Sequence, residues 1–192
     1  REHFGEGLDP EVEAAVRAAG AARADYPPYK LAETLAKVAT LIRAGIGIRI
    51  FLTELGGGGI GGFDNHAGQR DNHAALLRQL SESVAAWVDD LARDGQLDRV
   101  VLMTFSEFGR TLTENGRRGT GHGAAQPVFL AGGRLRGGLI GKDPSLTDLD
   151  RDAPKPHTDY RRVYATMLET WLGIDSTAVL GGRYEPLGLF AG

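Results

Sequence analysis

Two apolar runs flank one long amphipathic stretch, and this arrangement constrains the fold more than any other feature of the chain. GIRIFLTEL, residues 47–55, is β-branched and almost continuously apolar, the pattern of a strand buried on both faces. RVVLMTF, residues 99–105, repeats it. Between them Leu76, Leu77, Leu80, Val84, Trp87, Val88 and Leu91 recur on one helical face, with Asn72 available as N-cap, a helix from His73 to about Arg93 and Gly95 as the stop. Strand, helix, strand at this spacing predicts a right-handed crossover and a mainly parallel sheet covered on both sides, hence an α/β class. In such sheets ligands bind beyond the carboxyl ends of the strands.

The rest of the chain adds helices and short strands. Apolar residues at helical spacing predict helices from Pro10 to about Ala24 and from about Tyr29 to Ala44, separated by Pro27-Pro28. Short apolar runs at Pro127 to Ala131 and at Leu139-Ile140 suggest further strands, and a last helix is expected from about Thr158 to Leu172, ended by Gly173. No repeat and no long linker divides the 192 residues, so a single domain is expected over 1–192.

Composition excludes several function classes. The net charge is -3 and no basic block runs through the chain, so a nucleic-acid partner is not expected. No run reaches the roughly 18 to 20 apolar residues of a membrane span. Absence of cysteine rules out disulfides, thiolate zinc sites and a cysteine nucleophile. The chain begins with Arg rather than Met, which fits the C-terminal portion of a longer protein.

Two polar clusters fall where such a sheet would hold a ligand. GGFDNHAGQRDNH, residues 61–73, follows the first apolar run. Asp64 and His66 are two apart, so in extended backbone both side chains point to one side, and Gln69 and His73 can turn back toward them. Imidazole plus carboxylate suits zinc, manganese or iron; equally, Asp and Asn in a loop make local backbone hydrogen bonds. The preceding GGGGIGG, residues 56–62, contains the spacing of a dinucleotide fingerprint, but no helix opens at its last glycine, so the nucleotide reading lacks its context. GLIGKD, residues 138–143, is not a phosphate-binding loop, with Arg136 and Asp143 at key positions.

SEFGR, residues 106–110, follows the second run. Glu107 and Arg110 there either orient an anionic ligand, Arg offering a planar fork to phosphate or sulfate, or form a structural ion pair. His122 stands between glycines in NGRRGTGHG, residues 115–123, off any packed apolar face. His157 is a further ligand or merely precedes a helix cap supplied by Thr158 or Asp159.

Taken in order, GGFDNH, VVLMTFSEFGRTLTENG, GTGHG, GGRLRGGLIG and TDYRRVYATMLETWLG resemble the bacterial family named domain of unknown function fifteen-oh-one, from about residue 47 to 174. That family is similar to the alkaline phosphatase and sulfatase superfamily. The resemblance implies a three-layer α/β/α sandwich, alkaline-phosphatase-like and N-terminally incomplete here, and a metal-dependent hydrolase of phosphate or sulfate esters. It implies Asp64, His66 and His122 as ligands of a divalent metal (zinc, manganese or calcium), with Glu107 as a ligand or its support. Arg110 and Asn115 would hold a small anionic ester, and His73, Gln69 and His157 are further candidates. The nucleophile is not identified and is expected upstream of Arg1. Twin-arginine export is usual in the family, which implies a periplasmic or exported location. The family pattern reads FDTH and GTDHG, whereas this chain has Asn65 and Gly121. Gly121 removes a carboxylate expected to bind metal, so the alternative is a non-catalytic exported binding or scaffold protein with a degenerate site.

Overall fold

The computed structural model describes residues 9–56 and 62–191. The glycine run at 56–62 therefore lies mostly outside the described residues. The chain divides into two compact units, Arg1–Val101 with Ala131–Gly133, and Leu102–Leu130 with Arg134–Gly192.

Helices build the first unit. α1, Pro10–Ala18, opens where Asp9 accepts the Glu11 N–H at 2.8 Å and Pro10 supplies a preset first turn. It ends six residues before the expected Ala24, because the chain leaves helical geometry at Gly20. α2, Lys30–Ala44, agrees with its predicted span to one residue. α3, Gln69–Arg93, starts four residues earlier than His73, so Asn72 lies inside it and Gly68 stands at the N-cap. Gly95, with φ 64°, follows its last turn as predicted.

α2 and α3 pack together. Leu31, Leu35, Val38 and Ala39 of α2 and Leu76, Trp87 and Leu91 of α3 form the apolar core, each withdrawing side-chain area from water. Within it, the buried Asp90 carboxylate accepts hydrogen bonds from Arg43 Nη1 at 3.0 Å, Tyr26 Oη at 2.8 Å and the Arg23 backbone N–H. A buried charge needs such partners, because an unpaired carboxylate out of water is strongly disfavoured.

The expected sheet does not form. Residues 47–55 have no strand pairing, and Ile50 and Leu52 are 70% and 79% exposed. In RVVLMTF, a 3-10 turn at Leu97–Arg99 precedes a two-residue strand, β1, Leu102–Met103. The second unit contains β2, Gly109–Arg110, β3, His122–Gly123, β5, Leu149–Asp150, and β6, Ala153–Pro154; β4 is Leu130–Ala131. Among the described residues these make three two-stranded sheets, β1 with β4, β2 with β3 and β5 with β6, the last two antiparallel. The α/β/α sandwich with a mainly parallel sheet is thus overturned. A continuous apolar run specifies burial or extension, but a strand exists only where a neighbour pairs its main chain, and among the described residues none pairs with 47–55.

Leu139 and Ile140 are exposed and form no strand either. α4, Tyr160–Ala165, begins two residues after the expected Thr158 with Asp159 as N-cap, and continues as π-helix over Thr166–Trp171. A short helix not anticipated from sequence, α5, Ser176–Leu180, follows. Val163, Ala165, Met167, Leu189 and Ala153 are the buried apolar residues of this unit. No helix among the described residues is long and apolar enough to cross a membrane.

Candidate metal site

In the first unit the Asp64-Asn65-His66 loop is organised by its middle residue. The Asn65 N–H donates to Phe63 O at 2.9 Å, the residue is 5% exposed, and its side-chain amide oxygen accepts a hydrogen bond from Asn72 Nδ2 in the first turns of α3. Asn65 thereby turns its side chain toward α3, while Asp64 is exposed and His66 half-buried. Asp64 Oδ1 and His66 Nε2 meet at 2.8 Å, with side chains 56% and 42% exposed. The Asn65 side chain is engaged with Asn72 rather than with local backbone, while Asp64 and His66 form the pair.

The other candidates from this stretch are engaged differently. His73 packs edge-on against Phe63, ring centroids 5.4 Å apart, and its Nδ1 is buried. Gln69 is the half-buried first residue of α3.

In the second unit, Arg110 stands opposite His122 in the β2–β3 pair and Gly109 opposite Gly123. Glycine is required at 109, because a β-carbon there would lie 1.6 Å from Ala125 O. The exposed His122 imidazole stacks on Phe108, with centroids 3.7 Å apart and planes 5° apart. Arg110 donates through Nε to Thr120 Oγ1 at 2.9 Å and through Nη2 to Thr120 O at 2.7 Å, which fixes the guanidinium on the hairpin.

Thr111 and Gly121 exchange two further bonds: Thr111 N–H to Gly121 O at 3.1 Å, and Gly121 N–H to Thr111 Oγ1 at 2.8 Å. Asn115 organises the hairpin's far turn, its Oδ1 accepting the N–H groups of Arg117 at 2.9 Å and Gly119 at 3.1 Å. Glu107 and His157 are exposed. Asp159, whose carboxyl is held below the usual carboxylate range mainly by hydrogen bonds from Arg161, caps α4 after His157.

Within the first unit Asp64 and His66 each offer a ligand atom from one loop, and within the second the exposed His122 offers an imidazole nitrogen from the β2–β3 hairpin. Sequence reasoning gave no role to Thr111 or Thr120, which bond within the β2–β3 hairpin, and read Asn72 only as an N-cap, whereas it bonds to Asn65 from inside α3. The signal available for Asn72 was its position just inside a helix that follows a polar loop.

A family model described as a protein of unknown function, DUF1501, matches residues 8–187. No curated protein and no solved structure matches the chain.

Proposed function

Because the chain belongs to the DUF1501 family, we infer its activity from the chemistry of its own side chains and propose a divalent-metal-dependent hydrolase of phosphate or sulfate esters. The observation that carries this reading is the Asp64–His66 pair, a carboxylate and an imidazole joined at 2.8 Å on a solvent-facing loop. An imidazole nitrogen beside a carboxylate oxygen suits zinc or manganese better than calcium, which favours all-oxygen ligation, and the family resemblance adds His122 as a further candidate donor. A bound divalent cation supplies Lewis acidity to an ester oxygen.

The chain's own residues divide the remaining work. Asp64 brings the negative charge that favours a cation, and the Asn65–Asn72 hydrogen bond ties the loop that carries Asp64 and His66 to α3. Phe108 holds the His122 ring by stacking. Arg110 contributes fixed positive charge for an anionic ester, its guanidinium steadied by Thr120. Asn115 shapes the turn that closes this hairpin.

One observation favours a second reading, a non-catalytic binding or scaffold protein. Gly121 provides no carboxylate, and a β-carbon there would lie 3.3 Å from Thr111 Oγ1, so the hairpin is closely fitted to glycine. Hydrolysis of aryl phosphates and aryl sulfates separates the two readings. Turnover that requires zinc or manganese, stops on chelation and is lost in His66→Ala supports the hydrolase. Metal binding without turnover supports the scaffold.

A further inference from the structure

Asp152 occupies an unusual place. The turn joining β5 to β6 consists of Arg151 and Asp152, with φ of 48° and 67°. Left-handed backbone of this kind is unfavourable for an L residue and free of cost for glycine. Asparagine and aspartate tolerate it best, yet tolerance alone does not explain a carboxylate there. The side chain's partners do. Oδ2 accepts the Thr113 N–H at 3.0 Å, Oδ1 accepts the Thr113 hydroxyl at 2.7 Å, and the Asp152 carbonyl accepts the Leu112 N–H at 2.8 Å.

Residues 112–113 directly continue β2 and Thr111. Hydrogen bonds from Asp152 thus hold Leu112 and Thr113, the chain itself carries on to Thr111, and Thr111 is joined by its two hydrogen bonds to Gly121, the residue before His122. The adjacent Ala153 is buried, and its Cβ would lie 2.8 Å from a β-carbon built at Gly123, the residue after His122. The backbone at Gly123 therefore lies close against β6.

We propose that Asp152 is a positioning residue for His122: its carboxylate fixes the 111–113 segment, and through it the hairpin that presents the imidazole. The ligand role of His122 rests on the metal-site reading above; the positioning of the hairpin does not. Groups that orient metal ligands without touching the ion commonly matter nearly as much as the ligands.

Asp152→Gly is the discriminating variant, because glycine keeps the turn and removes only the carboxylate. Thr113→Val removes the partner hydroxyl and leaves the turn untouched. Zinc affinity by competition with a chromophoric chelator, and amide hydrogen exchange at Thr111, Gly121 and His122, are measured on the full chain beside its melting temperature. Both variants should melt close to the parent, exchange faster at Gly121 and His122, and bind zinc about 10- to 100-fold more weakly. The double variant should be no worse than either single one. Unchanged affinity and unchanged exchange in both would overturn the proposal. If the parent binds no zinc, the metal-site reading fails on its own, and exchange at Gly121 and His122 decides the positioning role by the same two outcomes. If Asp152→Gly does not fold, Thr113→Val carries the same test.

Discussion

Gly121 donates its N–H to Thr111 Oγ1 at 2.8 Å, and a β-carbon at Gly121 would stand 3.3 Å from that same oxygen and 3.4 Å from Thr111 Cγ2. The hairpin therefore accepts a larger residue only if Thr111 yields. Gly121→Asp should cost about 1 to 3 kcal/mol, the range for overpacking a fitted site, while raising the affinity for metal. Trimming the neighbour in Gly121→Asp/Thr111→Ala should relieve the crowding and keep the gain in affinity. Urea midpoints and metal titration of the three proteins check this. A Gly121→Asp protein as stable as the parent would contradict the steric account.

Removing the Asp90 side chain should be the most damaging change to the helical unit. The Arg43 side chain is only 5% exposed and would lose a buried anionic partner at 3.0 Å. Breaking a buried pair at one end costs about 3 to 5 kcal/mol, so Asp90→Ala should lose that much in chemical denaturation. Tyr26→Phe removes only the 2.8 Å hydroxyl bond to the same carboxylate and should lose about 1 to 3 kcal/mol. Losses below those ranges would show that the network is not a stability element.

The same cluster sets the pH range of stability. Burial, reinforced by the hydrogen bond to Asp90 and its charge, pushes the Tyr26 phenol well above its ordinary value. Its contribution is thus present below about pH 10, the unfolded value, and lost as pH rises through the folded one. At Asp94 burial acts upward, but hydrogen bonds from Arg23 and Arg43 prevail and hold the carboxyl below its ordinary value. Its contribution is present above about pH 4 and lost as pH falls through the lower folded value. Stability should therefore be level between these limits and decline outside both. Urea midpoints against pH should show Asp94→Asn flattening the acid limb and Tyr26→Phe the alkaline limb; limbs unchanged in these variants would refute the assignment.

Gly109→Ala should disrupt the hairpin outright. Its β-carbon would fall 1.6 Å from the Ala125 carbonyl oxygen, which is backbone and cannot rotate away. Strand separation, seen as lost exchange protection around Arg110 and Gly123, is the expected result. A protected hairpin in this variant would mean the backbone approach is looser than described.

Helices were legible and sheets were not, for a physical reason. A helix satisfies its main chain locally, so the apolar spacing and Gly45 or Gly95 stops mark α2 and α3 directly. The start of α3 was missed because Gln69 to Asn72 is polar and Gly68, with left-handed backbone, offers no side-chain cap. α5 was missed although Asp175, as N-cap, and Gly181, just past its end, bracket it in the familiar way. Strands need a partner that periodicity does not name, so 47–55 read as a buried strand yet pairs with nothing among the described residues. At the candidate site, residue type and spacing singled out Asp64 and His66, which the structure brings together at 2.8 Å; His122 was implied by the family resemblance. The inward turn of Asn65 and the bonds from Asp152 to Thr113 depend on residues distant in sequence, and no local pattern announces them.

Metal content by mass spectrometry, on protein purified without chelator, tests the central claim most directly. The parent chain should carry about one equivalent of zinc or manganese, as expected where folding and metal binding are linked, and Asp64→Ala and His66→Ala should each lose it. A parent without metal, or equal content in all three proteins, would contradict the assignment of Asp64 and His66 as ligands.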